Sequence, residues 1–417
     1  MGIRFKCAAE DLIKALDVVS IVPPKPITPS GEMGYLFVVR GPKCYVYSRD
    51  TTKVARADFP LEEVEGEGAF IYPSNIQGLR MLEGPMTFET DADSEGNPII
   101  RYRAEGATSQ KTSFDHRLLT PFDKEYEAAA NERSIPVGLL RVAINNAKDY
   151  VLQQKETKAE DHFKTLQVFD GTRDEWVKGN GILYASDGTQ AFYFACDAFK
   201  DKGLAVHVNH IGSVIAFLAR ANGKVTFKTG ANMTFATDET GSILGWAHHS
   251  KSHTKFSYYG TKADKYVIQV EKNLILRSLR HLRSELEKSR DKVKLTWKQG
   301  DGGDDKGRFL FEVNDGKSKV EGIPVPVEEV LESPGADLTT FVNIDHLISI
   351  FDGLQANSAF FRLCPVEAVG GRKGTVGLRT IEEFWLSEDG KLEIVDKDNP
   401  PADAFRCVVT RFVPTKD

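Results

Sequence analysis

The chain of 417 residues is too long for one ordinary hydrophobic core; at roughly 100–200 residues per domain it should hold two to four. Its 41% hydrophobic and 27% charged residues exclude an intrinsically disordered polymer. A net charge of −6 excludes a global attraction to nucleic acid while leaving room for a local basic surface.

Residues 3–8 alternate apolar and polar, which predicts a strand, and Leu12, Leu16 and Val19 then share one face of a helix. The proline-rich loop PPKPITPSG cannot continue that helix. Strands are expected at GYLFVVR, KCYVYSRD and KVARADFPL, the first two turning at Gly41-Pro42. The stretch AFIYPSNIQGLRMLEGPMTFETD reads as a strand, a helix over 74–82 and a second strand. PIIRYRAEG and KTSFDHRL read as further strands. LLTPFDKEYEAAANE, polar and without a clear period, reads as a linker.

A second round opens with the short strand SIPV and a helix over 138–152, with Leu140, Ile144, Ala147 and Val151 in line. FKTLQVFDG, GILYASDG and TQAFYFACDAF read as strands, the last two turning at Asp187-Gly188. LAVHVNHIGSVIAFLARANGKVTFKTG repeats the strand–helix–strand pattern, and strands MTFATDE and ILGWAHHS follow. The third round begins with strand YVIQV and the longest helix, 272–290, which should bury Ile275, Leu279, Leu282 and Leu286. Strands VKLTWKQG and RFLFEVND come next. After KSKVEGIPV and a long connection stands the third copy, TTFVNIDHLISIFDGLQANSAFFRLCP, followed by strands TVGLRTIEEFWLS, KLEIVD and FRCVVTRFV.

With Ile76, Ile211 and Leu347 equated, the copies stand about 135 residues apart. Each round reads strand, helix, strands, helix, strands, which makes an α+β unit long enough to own a core. The expected domains are 1–126, 127–262 and 263–417.

The five cysteines are scattered and form no CxxC pair, which excludes a disulfide framework and a thiolate zinc site and suggests a reducing compartment. There is no apolar run of ~18 residues and no signal-peptide core near Met1, so no membrane partner and a cytoplasmic location are expected. Asp301, Asp305 and Glu312 fall at positions one, five and twelve of a calcium loop, but Gly303 and Lys306 occupy positions that need a ligand and a glycine; a solvated hairpin turn is expected. VGGRKGT, with neither the spacing nor the following helix of a phosphate loop, reads as a basic hairpin tip. His249 and His253 would share a strand face beside His248, but nothing completes a metal site, and HHSKSHTK reads as an exposed loop. No nucleophile elbow, zinc-protease or dinucleotide motif occurs. Neither catalysis nor a cofactor is expected.

The informative charge pattern lies on the third round's first helix. Its apolar residues fall within ~60° of each other, and the opposite side carries Arg277, Arg280, His281, Ser284 and Lys288. That suits a phosphate backbone read without regard to sequence. The matching face of round two is polar (Asn145, Asn146, Asp149, Gln153); round one offers Lys14, and the helix of the opening stretch offers Arg80.

The order of EDLIKALDVVS, the proline-rich loop, paired strands ending in SRDTTKVA, and later KTSFDHRLLTPFDKEY resembles the bacterial DNA polymerase III beta sliding clamp. The resemblance covers the whole chain as architecture and is weak in residue identity. It implies an α+β fold of three similar DNA-clamp domains, each with two helices packed on antiparallel sheets. It further implies a homodimeric ring, a replication processivity factor that encircles double-stranded DNA and tethers the DNA polymerase, loaded by a clamp loader. A bacterial cell, or an infected one if a phage encodes the chain, is then the setting. By resemblance, Lys25 of PPKP and Lys155 and Lys158 of the charged loop touch DNA. Ser186, Gly188, Thr189, Gln190 and Ala191 stand at the turn that forms one wall of the partner-peptide cleft, without the family's arginine. Val408, Thr410 and Phe412 match the strand of the other wall, where the family's methionines and proline are replaced. Phe114 matches the apolar residue of the domain-one edge strand at the subunit interface. Two rival readings are a structural assembly protein of repeated domains and a metal hydrolase using His248, His249 and His253.

Overall fold

The computed structural model describes residues 2–26, 33–151, 161–170, 180–187, 190–248, 266–286, 291–300, 306–314, 319–332, 338–354, 357–365, 376–393 and 404–414. The chain divides into two compact units. One is Met1–Arg141 with Asn209–Ser250, the other Val142–Val208 with Lys251–Asp417.

The first round contains β1 (Arg4–Ala8), α1 (Ala9–Val19), β2 (Gly34–Arg40), β3 (Lys43–Arg49), β4 (Lys53–Pro60) and β5 (Glu63–Glu65). It continues with β6 (Gly68–Pro73), α2 (Gln77–Arg80), β7 (Pro85–Ala92), β8 (Pro98–Ala104) and β9 (Ala107–Thr112). After α3 (Asp123–Glu127) the second round has β10 (Ala130–Pro136), α4 (Val137–Ala147), β11 (Thr165–Asp170), β12 (Gly181–Ser186) and β13 (Ala191–Cys196). Then come β14 (Leu204–His207), α5 (Val208–Leu218), β15 (Lys224–Thr229), β16 (Met233–Thr237) and β17 (Ile243–Ala247). The third round has β18 (Tyr266–Glu271), α6 (Lys272–Glu285), β19 (Lys292–Lys298), β20 (Arg308–Asn314), β21 (Lys319–Glu321) and β22 (Val325–Glu332). It ends with β23 (Leu338–Asn343), α7 (Ile344–Asp352), β24 (Ser358–Pro365), β25 (Val376–Ser387), β26 (Leu392–Glu393) and β27 (Ala404–Pro414).

The first unit holds two antiparallel sheets, ordered β5-β1-β7-β8-β9 and β10-β15-β16-β17-β4-β3-β2-β6. Alternation along β1, β2, β6 and β7 sends Phe5, Phe37, Phe70 and Phe88 inward, where they stack at centroid distances of 5.0–6.2 Å between the sheets. Helix α1 buries the predicted Leu12, Leu16 and Val19. Gly41, at φ +54, makes the turn between β2 and β3 that its sequence signals.

The second unit is built on one long sheet, β14-β11-β12-β13-β27-β25-β24-β18-β22-β20-β19-β23. Leu276 and the predicted Ile275, Leu279 and Leu282 of α6 pack with Leu347, Ile350 and Phe351 of α7 over Trp297, Phe309 and Phe311. Leu279 is fully buried, so Leu279→Ala is expected to cost ~2–5 kcal/mol.

Several sequence expectations need correction. Helix α6 stops at Glu285, because Leu286 is extended. Helix α4 ends at Ala147 and tightens into a 3-10 turn, Lys148–Tyr150. The helix expected over 74–82 is a single turn, α2. KTSFDHRL is not one strand: β9 ends at Thr112, and a 3-10 turn occupies His116–Leu118. The connection after KSKVEGIPV contains most of β22. The linker is no loose connection either. Phe122 is buried against Tyr47 and Phe235, and α3 presents Asp123 to Arg56 at 3.0 Å, Tyr47 at 2.8 Å and Arg40 at 3.4 Å. One buried aromatic and one multiply bonded carboxylate set no period, so a search for periodicity passes over them.

Two junctions between rounds follow one rule. The last strand of round two, β17, pairs antiparallel with β4, the fourth strand of round one. The last strand of round three, β27, pairs antiparallel with β13, the fourth strand of round two. In round three the fourth position is the hairpin partner of β20, shared by β21 and the start of β22. Its sequence, KVEGIPVP, starts and ends as β4 does, KVARADFP.

Candidate functional site

The expected DNA-contacting cations lie mostly on or beside the helices. Lys14 is exposed on α1, 3.5 Å from Asp11. Lys25 follows α1, its amide donating to the Arg49 carbonyl. Arg80 closes α2 back onto α1, donating to Asp17 Oδ1 at 2.7 Å and Ser20 Oγ at 3.0 Å. Its charge is matched by Asp17, so that corner is close to neutral. Lys155, Lys158 and Lys288 lie outside the described residues, as do His249, His253, Asp301, Asp305 and VGGRKGT.

On α6, Arg277, Arg280, His281 and Ser284 are all exposed, on the side away from Leu279 and Leu282. Arg280 is held by Asp352 at the end of α7, and Arg283 by Asp345 near its start, with Nε 2.9 Å from the carboxylate. Arg277 and His281 have no carboxylate partner among the described residues. The surface made by α6 and α7 is therefore less positive than α6 alone suggests. The neutralising Asp352 stands 72 residues from Arg280, beyond the reach of any helical-wheel reading.

Ser186, Gln190 and Ala191 come together with Val408, Thr410 and Phe412. Ser186 Oγ donates to the Gln190 carbonyl at 2.7 Å, and the Gln190 amide donates to Asp187 Oδ1 at 2.8 Å, which shapes the turn. Across the β13·β27 pair, Ala191 stands opposite Phe412, Tyr193 opposite Thr410 and Ala195 opposite Val408. The two expected cleft walls are thus neighbouring strands in register; Gly188 and Thr189 lie outside the described residues. One face of β12, β13 and β27 carries Ile182, Tyr184, Ala191, Tyr193, Ala195 and Val408, with Phe169 against them. Sequence reading missed the rings of Phe169, Tyr184 and Tyr193, although alternation in GILYAS and AFYFAC places the two tyrosines on one face.

The other face of β27 carries Arg411, which is 1% exposed. It is ion-paired to Glu382 of β25, donates to Asn146 Oδ1 of α4 and the Gly353 carbonyl after α7, and lies 5.5 Å from the Phe192 ring centre. A buried charge persists only when paired and bonded this fully.

Phe114 is not on the edge strand. It lies two residues beyond β9, bridges to Ile71 and packs half-buried on the core around Phe122. β9 itself is polar, ATSQKT, and pairs with β8.

His248 accepts from or donates to Thr234 Oγ1 at 3.0 Å, and Glu312 is paired with Lys294 and Lys319. Among the described residues no cluster has the makings of a metal site.

No protein-family model matches the chain, and neither does any curated protein sequence. Solved structures do match over the full length. The DNA polymerase III subunit beta of Pseudomonas aeruginosa aligns with a TM-score of 0.71 at 14% identity, covering 99% of this chain and 100% of that one. The DNA polymerase sliding clamp of Caulobacter crescentus gives 0.71 at 13% identity, covering 99% of each chain. The sliding clamp of Bartonella birtlesii gives 0.71 at 12% identity over 100% of both. The chain has the α+β fold of the bacterial beta sliding clamps.

Proposed function

We propose that the chain is a DNA sliding clamp: two copies close head to tail into a ring that encircles duplex DNA and tethers a DNA polymerase. The domains are taken as 1–126, 127–262 and 263–417, three per copy. The observation that carries the reading is the junction rule. Each internal junction joins the last strand of one round to the fourth strand of the round before it. That leaves β9, the last strand of round one, and β21, in the fourth position of round three, each with one strand neighbour among the described residues. The same rule applied between copies pairs β9 of one with β21 of the next. Two such contacts close a ring and cover both of these edges, and bare edges invite aggregation.

No catalytic step is assigned; retention comes from topology. A ring needs only weak, sequence-independent contacts to the phosphates, and Arg277 and His281, with the Arg280 held by Asp352, suit that task. Lys14, Lys25, Lys155, Lys158 and Lys288 complete the proposed DNA-facing set. A double-stranded-DNA partner sets the location as the cytoplasm of a bacterial, or phage-infected bacterial, cell. A clamp loader is required to thread a closed ring onto DNA.

The β13·β27 face serves as the cleft for a polymerase tail. Support comes from the chain itself. At the β4·β17 junction the corresponding strands present Tyr47, Val54 and Ile243, and the chain's own Phe122 and Tyr126 are docked beside them, their rings 6.0 and 5.7 Å from Phe235. A peptide with apolar and aromatic anchors fits the equivalent face of β12, β13 and β27.

The deciding experiment loads the protein on nicked circular DNA and then linearises it. Retention on the circle and loss from linear DNA is the expected result; equal retention on both would remove the topological mechanism. A virion-type assembly protein would instead give large or open-ended assemblies by native mass, and a metal hydrolase would retain stoichiometric metal.

A further inference from the structure

Cys196 ends β13 and Cys407 lies on β27, and the register sets them directly opposite each other. They come from different rounds, so the pair straddles a junction. Both are fully buried. The neighbouring Cys196 side chain pushes the Cys407 thiol's pKa up. The Cys196 thiol donates to Asp197 Oδ1 at 3.5 Å, and the Cys407 thiol to the Phe405 carbonyl at 3.6 Å.

Directly opposed residues of an antiparallel pair have Cα atoms about 4.5 or 5.5 Å apart, according to their place in the ladder. Disulfides span Cα separations of about 4.4–6.8 Å, a range that covers both spacings, and the closer pair also approaches the Cβ separation of about 3.5–4.5 Å that the bond needs. Opposed side chains also leave the sheet on the same face, which brings the two sulfurs together.

We infer that Cys196 and Cys407 form a reversible disulfide across β13 and β27 that locks this junction when the surroundings turn oxidising. The inference stands on the strand register and does not depend on the clamp reading.

The oxidant is a small disulfide such as oxidised glutathione. One cysteine, as its thiolate, attacks a glutathione sulfur and releases one glutathione thiolate. The other cysteine, having lost its proton to solvent, attacks the protein-bound sulfur and releases the second. Two electrons pass from the protein sulfurs to glutathione, and the two protons end on two glutathione thiols. Reduced glutathione in excess reverses both steps. The neighbouring Cys196, burial and Asp197 together hold the Cys407 thiol protonated, far above the usual thiol range. The reduced pair is therefore inert while the junction is shut, and oxidation runs at the rate at which β27 frays from β13.

The test incubates the full chain, under native conditions, with oxidised glutathione. Free thiols are then alkylated in denaturant, and the protein is digested without reductant. The expected product is a linked peptide containing Cys196 and Cys407, lighter than its two parts by two hydrogens. The oxidised protein should unfold at a higher urea concentration, and reductant should restore the original midpoint. Cys407→Ala and, independently, Cys196→Ala should show no oxidation-dependent shift. Wild type cycled between oxidant and reductant gives the same comparison with no substitution. Complete alkylation of both cysteines after prolonged oxidation overturns the proposal. So does a linked peptide that joins either one to a different cysteine, or an unchanged urea midpoint.

Discussion

Arg411 is a buried cation on the last strand, and its guanidinium reaches Glu382, Asn146 and Gly353 from the buried side of β27. Glu382→Ala would strand the cation and is expected to cost ~3–5 kcal/mol of stability, read by urea unfolding. The double variant Glu382→Leu with Arg411→Met should recover most of that loss; no recovery would mean the pair does more than neutralise itself. His248 gives a second test. Burial lowers its pKa from the ordinary 6.5, so the fold favours the neutral ring. Because the folded pKa lies below the unfolded one, this contribution is fully present above 6.5 and declines as pH falls below it. Wild type should lose more stability between neutral and mildly acidic pH than His248→Gln. Equal losses would exclude His248 as the cause. The alternation in VVTRFV already separates Arg411 from Thr410 and Phe412. Its partners on α4, on β25 and just after α7 were not legible, because they are set by tertiary packing and not by local period.

At the scale of elements, α6 shows both what a period reveals and what it hides. Its buried stripe and opposite cations were readable from spacing alone. The carboxylates of α7 that hold Arg280 and Arg283 were not. Arg277→Ala should weaken binding to duplex DNA at low salt and reduce the log–log salt slope by about one. Asp352→Asn should do the opposite by releasing Arg280; an unchanged affinity would place this face away from DNA. The edge strand β9 allows a comparable test of assembly. Proline at Ser109 or Gln110 removes the outward amide at whichever of the two faces away from β8, a substitution that an edge strand tolerates. The native mass should fall from two copies to one while the far-ultraviolet spectrum is kept; a persistent dimer would exclude β9 from the contact. Phe114 is the poorer probe, since packing against Ile71 makes its replacement a core defect.

For the whole molecule, the recurrence of strand, helix and strand at near-constant spacing carried the threefold reading, and the observed element order repeats in the same way. The sequence could not reveal which strands join one round to the next, because pairing across rounds needs a register that no local pattern records. The junctions also bear on how the chain is made. β13, whose six residues are all buried, is synthesised roughly 200 residues ahead of β27, and at about 5–20 residues per second the gap is on the order of 10–40 seconds. Through that interval an apolar strand has left the ribosome without its partner, long enough for neighbouring nascent chains on one polysome to find each other. The yield of soluble protein should therefore depend more steeply on translation rate and chaperone supply than the finished fold's stability would indicate.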